Sequence, residues 1–323
     1  MCGLIGEFSF QGHARAHSLN TLSHRGPDAQ GTWLSSDHHC WLGHTRLSIQ
    51  DLSFAGSQPI TSHCGRITLV FNGEIYNHLD VRNALRFTGW RGHSDSETLV
   101  EGLAQRGTAL LLDLRGMFAF AAYDSSKNQL LLCRDRLGIK PLYYALSENR
   151  LIFASEQRAI CNPVLLESDV ISQFLSWGHI QTPTDFNSSC SETITSLPPG
   201  TIVRVNLDKK SESIRYWPPQ PRPDWTPLPL RSIAQCKRLL RRTLEEALLQ
   251  HLTSDVPVAT FLSSGLDSGI LTALASTIRK GQISSFTVTF PGQPQDEGTL
   301  ATVMARHCNT CLLYTSDAAD DTP

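Results

Sequence analysis

A cysteine stands second in the chain, behind Met1, in the string Cys2-Gly3-Leu4-Ile5-Gly6. Methionine aminopeptidases act where the second residue is small, so removal of Met1 leaves Cys2 with a free α-amine. An α-amino group has an ordinary pKa of about 8, close enough to neutral for it to take up the thiol proton, through water. The nucleophile then carries its own base. Taken alone, a cysteine at a chain start is more often a small packed hydrophobe, so its companions must decide. A second candidate is the turn Phe261-Leu262-Ser263-Ser264-Gly265-Leu266-Asp267-Ser268-Gly269. Its backbone amides and the start of the following helix offer donors and positive potential to a phosphate, and Ser263, Ser264 and Ser268 add hydroxyls. No Gly-Lys-Ser or Gly-Lys-Thr follows, so it is not a Walker loop. Asp37-His38-His39-Cys40 and Cys308-Asn309-Thr310-Cys311 read as chance. The first spells a signature of membrane enzymes without a spanning segment, and the second is a CxxC with no second pair.

The first half must position Cys2, and it alternates short β-rich runs with turns, at 4–10, 40–49, 67–72, 117–123, 130–133, 142–145 and 151–154. Helical periodicity at 78–86, 97–105 and 168–177 predicts sheets with helices packed on them, an α+β domain and not an all-β barrel. A proline-rich stretch at 217–229 predicts a linker, because each ring removes an amide donor and restrains the residue before it. Beyond it, a helix at 232–252, a strand at 256–262, a helix at 267–279 and a strand at 283–290 form a βαβ unit, the start of a parallel α/β domain. The expected boundaries are 2–215 for the first domain, 216–230 for the linker and 231–310 for an incomplete second domain, with 311–323 an unrelated acidic tail. One βαβ unit leaves the faces of a parallel sheet uncovered, which points to truncation and to association, for instance as a homodimer.

The companions of Cys2 are His24-Arg25-Gly26-Pro27-Asp28, Gly43-His44-Thr45-Arg46-Leu47-Ser48-Ile49, Phe71-Asn72-Gly73-Glu74-Ile75-Tyr76-Asn77 and Ser94-Asp95-Ser96-Glu97. In this order they resemble the class II glutamine amidotransferases, whose fold is the N-terminal-nucleophile αββα sandwich. Arg134-Asp135-Arg136-Leu137-Gly138-Ile139-Lys140-Pro141-Leu142-Tyr143-Tyr144 and Ala154-Ser155-Glu156 resemble the glutamine-hydrolysing asparagine synthetase branch in particular. The resemblance implies that Cys2 attacks the amide of glutamine, with the Asn72 side chain and the Gly73 N–H as donors to the developing oxyanion. It also implies that Arg46 grips the substrate carboxylate, a task suited to a planar guanidinium. By the same likeness Asp95 meets the ammonium, and Glu74 and Leu47, Ser48, Ile49 and Gln50 line the pocket. The 24–28 turn and the 134–144 segment are expected to support the site without doing chemistry.

The Ser263 to Ser268 turn resembles the pyrophosphate loop Ser-Gly-Gly-x-Asp-Ser of the ATP-pyrophosphatases, from which Ser264 departs. A side chain there restricts φ and could crowd the phosphates. The likeness implies ATP binding by Leu262, Ser263, Ser264, Gly265, Asp267, Ser268 and Val288, with Asp267 helping to hold the Mg²⁺ that accompanies ATP. For the longer protein it implies amidation of aspartate to asparagine through an acyl-adenylate, the alternatives being another carboxylate acceptor in a specialised pathway or a non-catalytic descendant that binds glutamine or nucleotide. Glutamine, aspartate and ATP are then the small-molecule partners, and the fragment is expected to perform glutamine hydrolysis alone.

Bulk composition fits this picture. With 28 Lys and Arg against 30 Asp and Glu, the chain has no basic run that would neutralise a nucleic-acid backbone. The start lacks a basic n-region, and nowhere do about 18 apolar residues run together, so no membrane partner and a cytoplasmic location are expected. Nine cysteines without framework spacing predict reduced thiols.

Overall fold

The computed structural model describes residues 1–161, 168–178, 194–217, 232–280, 283–290, 292–294 and 296–315. The proline-rich linker from 218 onward and the tail from 316 lie outside them. The chain divides into two compact units, Met1–Pro221 and Arg222–Pro323.

The first unit runs β1 (Gly3–Ser9), β2 (Ala29–Leu34), β3 (Cys40–Arg46), β4 (Ile60–Thr61), β5 (Ile67–Ile75), α1 (His78–Ala84), α2 (Asp95–Arg106), β6 (Gly116–Asp124), β7 (Gln129–Arg134), β8 (Tyr143–Leu146), β9 (Arg150–Ala154), α3 (Gln157–Ile160), α4 (Ser168–Trp177), β10 (Thr195–Ser196), β11 (Thr201–Asn206) and β12 (Ser211–Arg215). These strands form two six-stranded antiparallel sheets, ordered β10-β8-β9-β1-β3-β2 and β12-β11-β7-β6-β5-β4. Strand alternation explains the layers. In β6, Ala119, Ala121 and Tyr123 join Leu4, Phe8 and Leu42 of the first sheet in a core between the two sheets. Phe118, Phe120 and Ala122, one residue out of phase, face Val81, Leu99 and Leu103 of α1 and α2. On the outer face of the first sheet, Ile5, Trp41 and Ala154 pack on Leu19 and Leu22, with Ala159 and Ile160 of α3 against them. Helix, sheet, sheet, helix is therefore the layer order, the αββα sandwich.

Several strands escape sequence patterning. β2 is an edge strand with alternating exposed and half-buried residues, and its ladder to β3 defines it more than its own apolar content. β12, Ser-Glu-Ser-Ile-Arg, carries one aliphatic residue and exists as the partner of β11. Conversely, the run expected to 49 leaves the ladder at Arg46, while the one expected to end at 72 continues to Ile75.

The second unit runs α5 (Ile233–His251), β13 (Ala259–Phe261), α6 (Leu266–Ile278), β14 (Ser284–Val288), α7 (Gly298–Cys308) and β15 (Cys311–Thr315). Its sheet is parallel, in the order β13-β14-β15. The expectation that the pattern ends at 311 is corrected here: Cys311–Thr315 pairs with β14 from Ser284↔Cys311 to Val288↔Thr315. The acidic residues at 317–321 masked this short apolar run, which becomes a strand because α7 returns the chain beside β14. Leu262, Ala301 and Ala305 form one small core, and Leu252, Ala275 and Ile283 another. Phe261 remains 84% exposed and Leu313 43%, so one face of this sheet is thinly covered.

Candidate active site

Strand register places the reacting groups. Gly3 pairs with Thr45 across β1 and β3, which sets Cys2 beside Arg46 at the end of the ladder. Gly26 in the preceding turn lies so close that a Cβ would collide with the backbone of Thr45 and Arg46. This turn carries Arg25, whose Nε donates to the Cys2 carbonyl at 3.0 Å and whose Nη1 pairs with Glu156 at 3.0 Å. Glu156 also takes His24 at 2.7 Å and Arg158 at 2.7 Å. Next to it, Ser155 accepts from Leu4 N at 3.1 Å and its own N–H donates to Leu4 O. The Ala154-Ser155-Glu156 string thus holds the start of β1 and the turn against it.

Cys2, Arg46, Leu47, Ile49, Gln50, Asn72, Gly73, Glu74 and Asp95 line one cavity of about 70 Å³. Ser48 does not: its N–H turns away to Asp28 Oδ2 at 2.7 Å. Gln58, Ser94, Ser96, Met117 and Lys140 join the lining without having been singled out in the sequence. Lys140 carried a signal, since its motif is one of the strings resembling the family, but the string was read as support.

The Cys2 thiol meets Leu47 on both sides: Leu47 N–H donates to Sγ at 3.4 Å, and Sγ lies 3.6 Å from Leu47 O. Burial raises the thiol above its ordinary range, while the Leu47 N–H, the chain's amino group and Arg46 pull it down. The amino group, here that of Met1, is itself lowered, by burial first and then by Arg25 and Lys140, with Cys2 and Asp28 opposing.

Asn72 is 1% exposed, yet its Nδ2 has no hydrogen-bond partner. Leaving a buried donor unmade costs about 1–3 kcal/mol, so the empty site keeps a polar group unsatisfied at the cavity wall. Gly73 follows because β6 approaches too closely for any side chain: a Cβ would strike Met117 O and Phe118. Arg46 is equally telling. Its Nη1 donates to Ser53 O at 3.0 Å and its Nη2 to Asp51 O, and among the described residues it forms no ion pair. A buried guanidinium oriented by carbonyls retains its full charge for an incoming carboxylate.

Asp95 opens α2, which Ser94 caps by accepting from Glu97 N at 3.2 Å. Its Oδ2 accepts from Ile75 N at 2.9 Å. Burial, with Glu74 nearby, pushes its carboxyl up to about 7, against the pull of the backbone amides. Glu74 in turn accepts from Gln50 Nε2 at 3.0 Å. The cavity therefore offers a nucleophile, an unpaired amide donor, a cation and a carboxyl on four separate elements.

In the second unit, the turn after β13 is tied to itself. Ser263 N–H donates to Ser268 Oγ at 3.2 Å, Gly265 N–H donates to Ser263 Oγ at 3.1 Å, and the two hydroxyls lie 2.8 Å apart. Gly265 caps α6 without a side chain, which leaves the amides of its first turn to an incoming anion. Ser264 donates to Glu297 Oε1 at 2.6 Å. Leu262 is buried, with its N–H on Phe286 O at 2.7 Å, whereas Asp267 and Val288 are exposed. Among the described residues no group of three His, Cys, Asp or Glu could hold a metal ion.

A cysteine at the head of the central strand pair of an αββα sandwich is the arrangement of the N-terminal-nucleophile fold. The profile of the glutamine amidotransferase domain matches residues 1–217, and that of asparagine synthase matches residues 239–321. The chain belongs to the glutamine-hydrolysing asparagine synthetase family. Amidase chry2 of Gibberella zeae is 34% identical over 302 residues, covering 87% of this chain and 43% of that protein. Asparagine synthetase [glutamine-hydrolyzing] 3 of Bacillus subtilis is 32% identical over 85% of this chain and 45% of its own length. Asparagine synthetase B [glutamine-hydrolyzing] of Escherichia coli is 33% identical over 96% and 53%. The chain spans about half the length of the curated relatives it matches.

Proposed function

We propose that this chain hydrolyses glutamine at Cys2 to glutamate and ammonia. The observation that carries this reading is the unpartnered Nδ2 of buried Asn72 in the cavity that also holds Cys2 and Arg46. Once Met1 is removed, the Cys2 α-amine takes the thiol proton and the sulfur attacks the amide carbon. Asn72 Nδ2 and the Gly73 N–H receive the oxyanion, satisfying the orphaned donor only as charge develops. Ammonia leaves, and water releases glutamate from the thioester. Arg46 holds the substrate carboxylate and Asp95 its ammonium, which selects a zwitterionic amide over other amides. Glutamate release should vanish in Cys2→Ala. In Asn72→Ala kcat should fall by about 10²–10³ with a smaller change in KM. Undiminished release by folded Cys2→Ala would sink the proposal.

In the whole protein, we propose that the second unit binds ATP at the 263–268 turn, with the α6 amides and the serine hydroxyls on the phosphates. Asp267, exposed at the first turn of α6, would hold the Mg²⁺ that accompanies ATP. ATP supplies the adenylate that activates a carboxylate for attack by ammonia. Aspartate is the acceptor that the asparagine synthetase relatives favour. A different carboxylate is the second reading, favoured by the similarity to a relative named as an amidase. Assaying the whole protein with ATP, glutamine and aspartate separates the two by whether asparagine forms.

A further inference from the structure

The 135–140 turn is built around one carboxylate. Asp135, fully buried, accepts from Phe118 N at 3.1 Å and from Leu137, Ile139 and Lys140 N at 3.0 Å each. Arg134 closes the other side, donating to Lys140 O at 2.7 Å and Gly138 O at 2.8 Å. Both ends of Lys140's backbone are therefore pinned, and its side chain, in a residue only 6% exposed, enters the lining of the Cys2 cavity. Among the described residues its Nζ has no hydrogen bond or ion pair. An ammonium without such a partner, opening on the cavity that holds the Cys2 thiol, is placed to act on the charge that develops there.

We propose that Lys140 is the electrostatic partner of the Cys2 nucleophile: its ammonium favours the thiolate, and it favours the unprotonated α-amine that accepts the thiol proton. Every form of the pair with less positive charge gains from a cation at the cavity wall. The proton passes from sulfur to the amine, and Lys140 keeps its own throughout. Other charged groups also face the pair. Arg25 and Asp28 of the 24–28 turn act on the chain's amino group, here that of Met1, and Arg46 at the end of β3 and Asp95 at the start of α2 act on the thiol. Lys140 itself is lowered by burial first and then by Arg25, with Cys2, Glu74 of β5 and Asp135 opposing. Arg25 is engaged by the Cys2 carbonyl and Glu156, and Arg46 by the backbone carbonyls of the 50–53 loop. Lys140 alone of the three cations is anchored only through its backbone.

This inference rests on Cys2 being the nucleophile, and its test does not require turnover. The rate of Cys2 alkylation by iodoacetamide is measured against pH, resolved by mass spectrometry of the Cys2 peptide in the chain lacking Met1. In Lys140→Met the profile should move to higher pH, with alkylation about tenfold slower at pH 7 and equal at high pH. Lys140→Arg should restore the original profile, and the kcat/KM profile for glutamine should move in parallel. Both substitutions spare the backbone bonds that build the turn. Lys140→Gln serves as a second neutral variant should Lys140→Met not fold. An unmoved alkylation profile in either folded neutral variant overturns the proposal. If the unsubstituted chain shows no Cys2-dependent glutamate release, the hydrolase reading fails, while the alkylation profiles still decide whether Lys140 acts on the thiol.

Discussion

Asp95 is the group in the site whose ionisation most directly ties binding to pH. Its folded value of about 7 stands well above the ordinary 3.8, so the empty fold loses stability as pH rises from 3.8 through about 7 and the buried carboxylate forms. A substrate ammonium reverses the balance by favouring the charged form. Glutamine binding to the catalytically silent Cys2→Ala variant should therefore weaken as pH falls below about 7, approaching tenfold per pH unit. Calorimetric titration checks this, and Asp95→Asn should bind weakly with a flat profile. Affinity that is constant from pH 8 to 5.5 would remove Asp95 from the ammonium subsite. The motif strings were legible because residue type and order carry them, and Cys2, Arg46, Asn72, Gly73 and Asp95 line one cavity. Ser48 stands outside the cavity lining that Leu47, Ile49 and Gln50 share, with its N–H on Asp28 Oδ2, a difference between loop neighbours that only the tertiary structure shows.

Among the elements, the 135–140 turn is as important as the strands that carry the site. Asp135 replaces what a regular ladder would otherwise provide for four amides. Removing the carboxylate in Asp135→Ala leaves the buried Phe118 and Lys140 donors unmet, at about 1–3 kcal/mol each, while the amides of the exposed Leu137 and Ile139 can turn to water. We expect the first unit to lose at least about 3 kcal/mol, measured by denaturant unfolding, and glutamine turnover to fall as Lys140 and β6 shift. Asp135→Asn should recover part of the stability. Loss of less than about 1 kcal/mol in Asp135→Ala would mean that the turn is held by Arg134 alone. The segment from Arg134 to Tyr144 reads in sequence as strand, turn and strand, and β7 does end at Arg134 while β8 begins at Tyr143. That its apex reaches the nucleophile depends on which strand lies next to β7, which no local pattern encodes.

For the molecule as a whole, separate cores in Met1–Pro221 and Arg222–Pro323 predict two thermal transitions by scanning calorimetry. Their response to acid should differ. His44, fully buried between the sheets, is depressed from 6.5 to about 4 by burial, against the pull of its bond to Phe71 O at 3.1 Å. Its unfolded form binds a proton where its folded form does not, so the first unit should lose stability as pH falls from 6.5 to about 4. The loss from this residue is about 3 kcal/mol. His44→Gln, which keeps a donor for Phe71 and does not titrate, should flatten that slope and leave the second transition unmoved. An unchanged slope would place the acid sensitivity elsewhere.

Amino-acid type and order alone pointed to a glutamine amidotransferase domain followed by an asparagine-synthase-type segment, as the family matches bear out. Those features lie in short strings whose chemistry does not depend on distant neighbours. The tertiary structure decided what depends on pairing. Edge strands β2 and β12 and the late strand β15 exist because a neighbour supplies their hydrogen bonds. The Asn72 amide is an unsatisfied donor because the sheets bury it. Cys2 and Lys140, 138 residues apart in the chain, meet because antiparallel register and one buried carboxylate bring them to the same wall. Burial and adjacency across such separations are properties of the packed sandwich, and they set the charge environment in which the thiol must react.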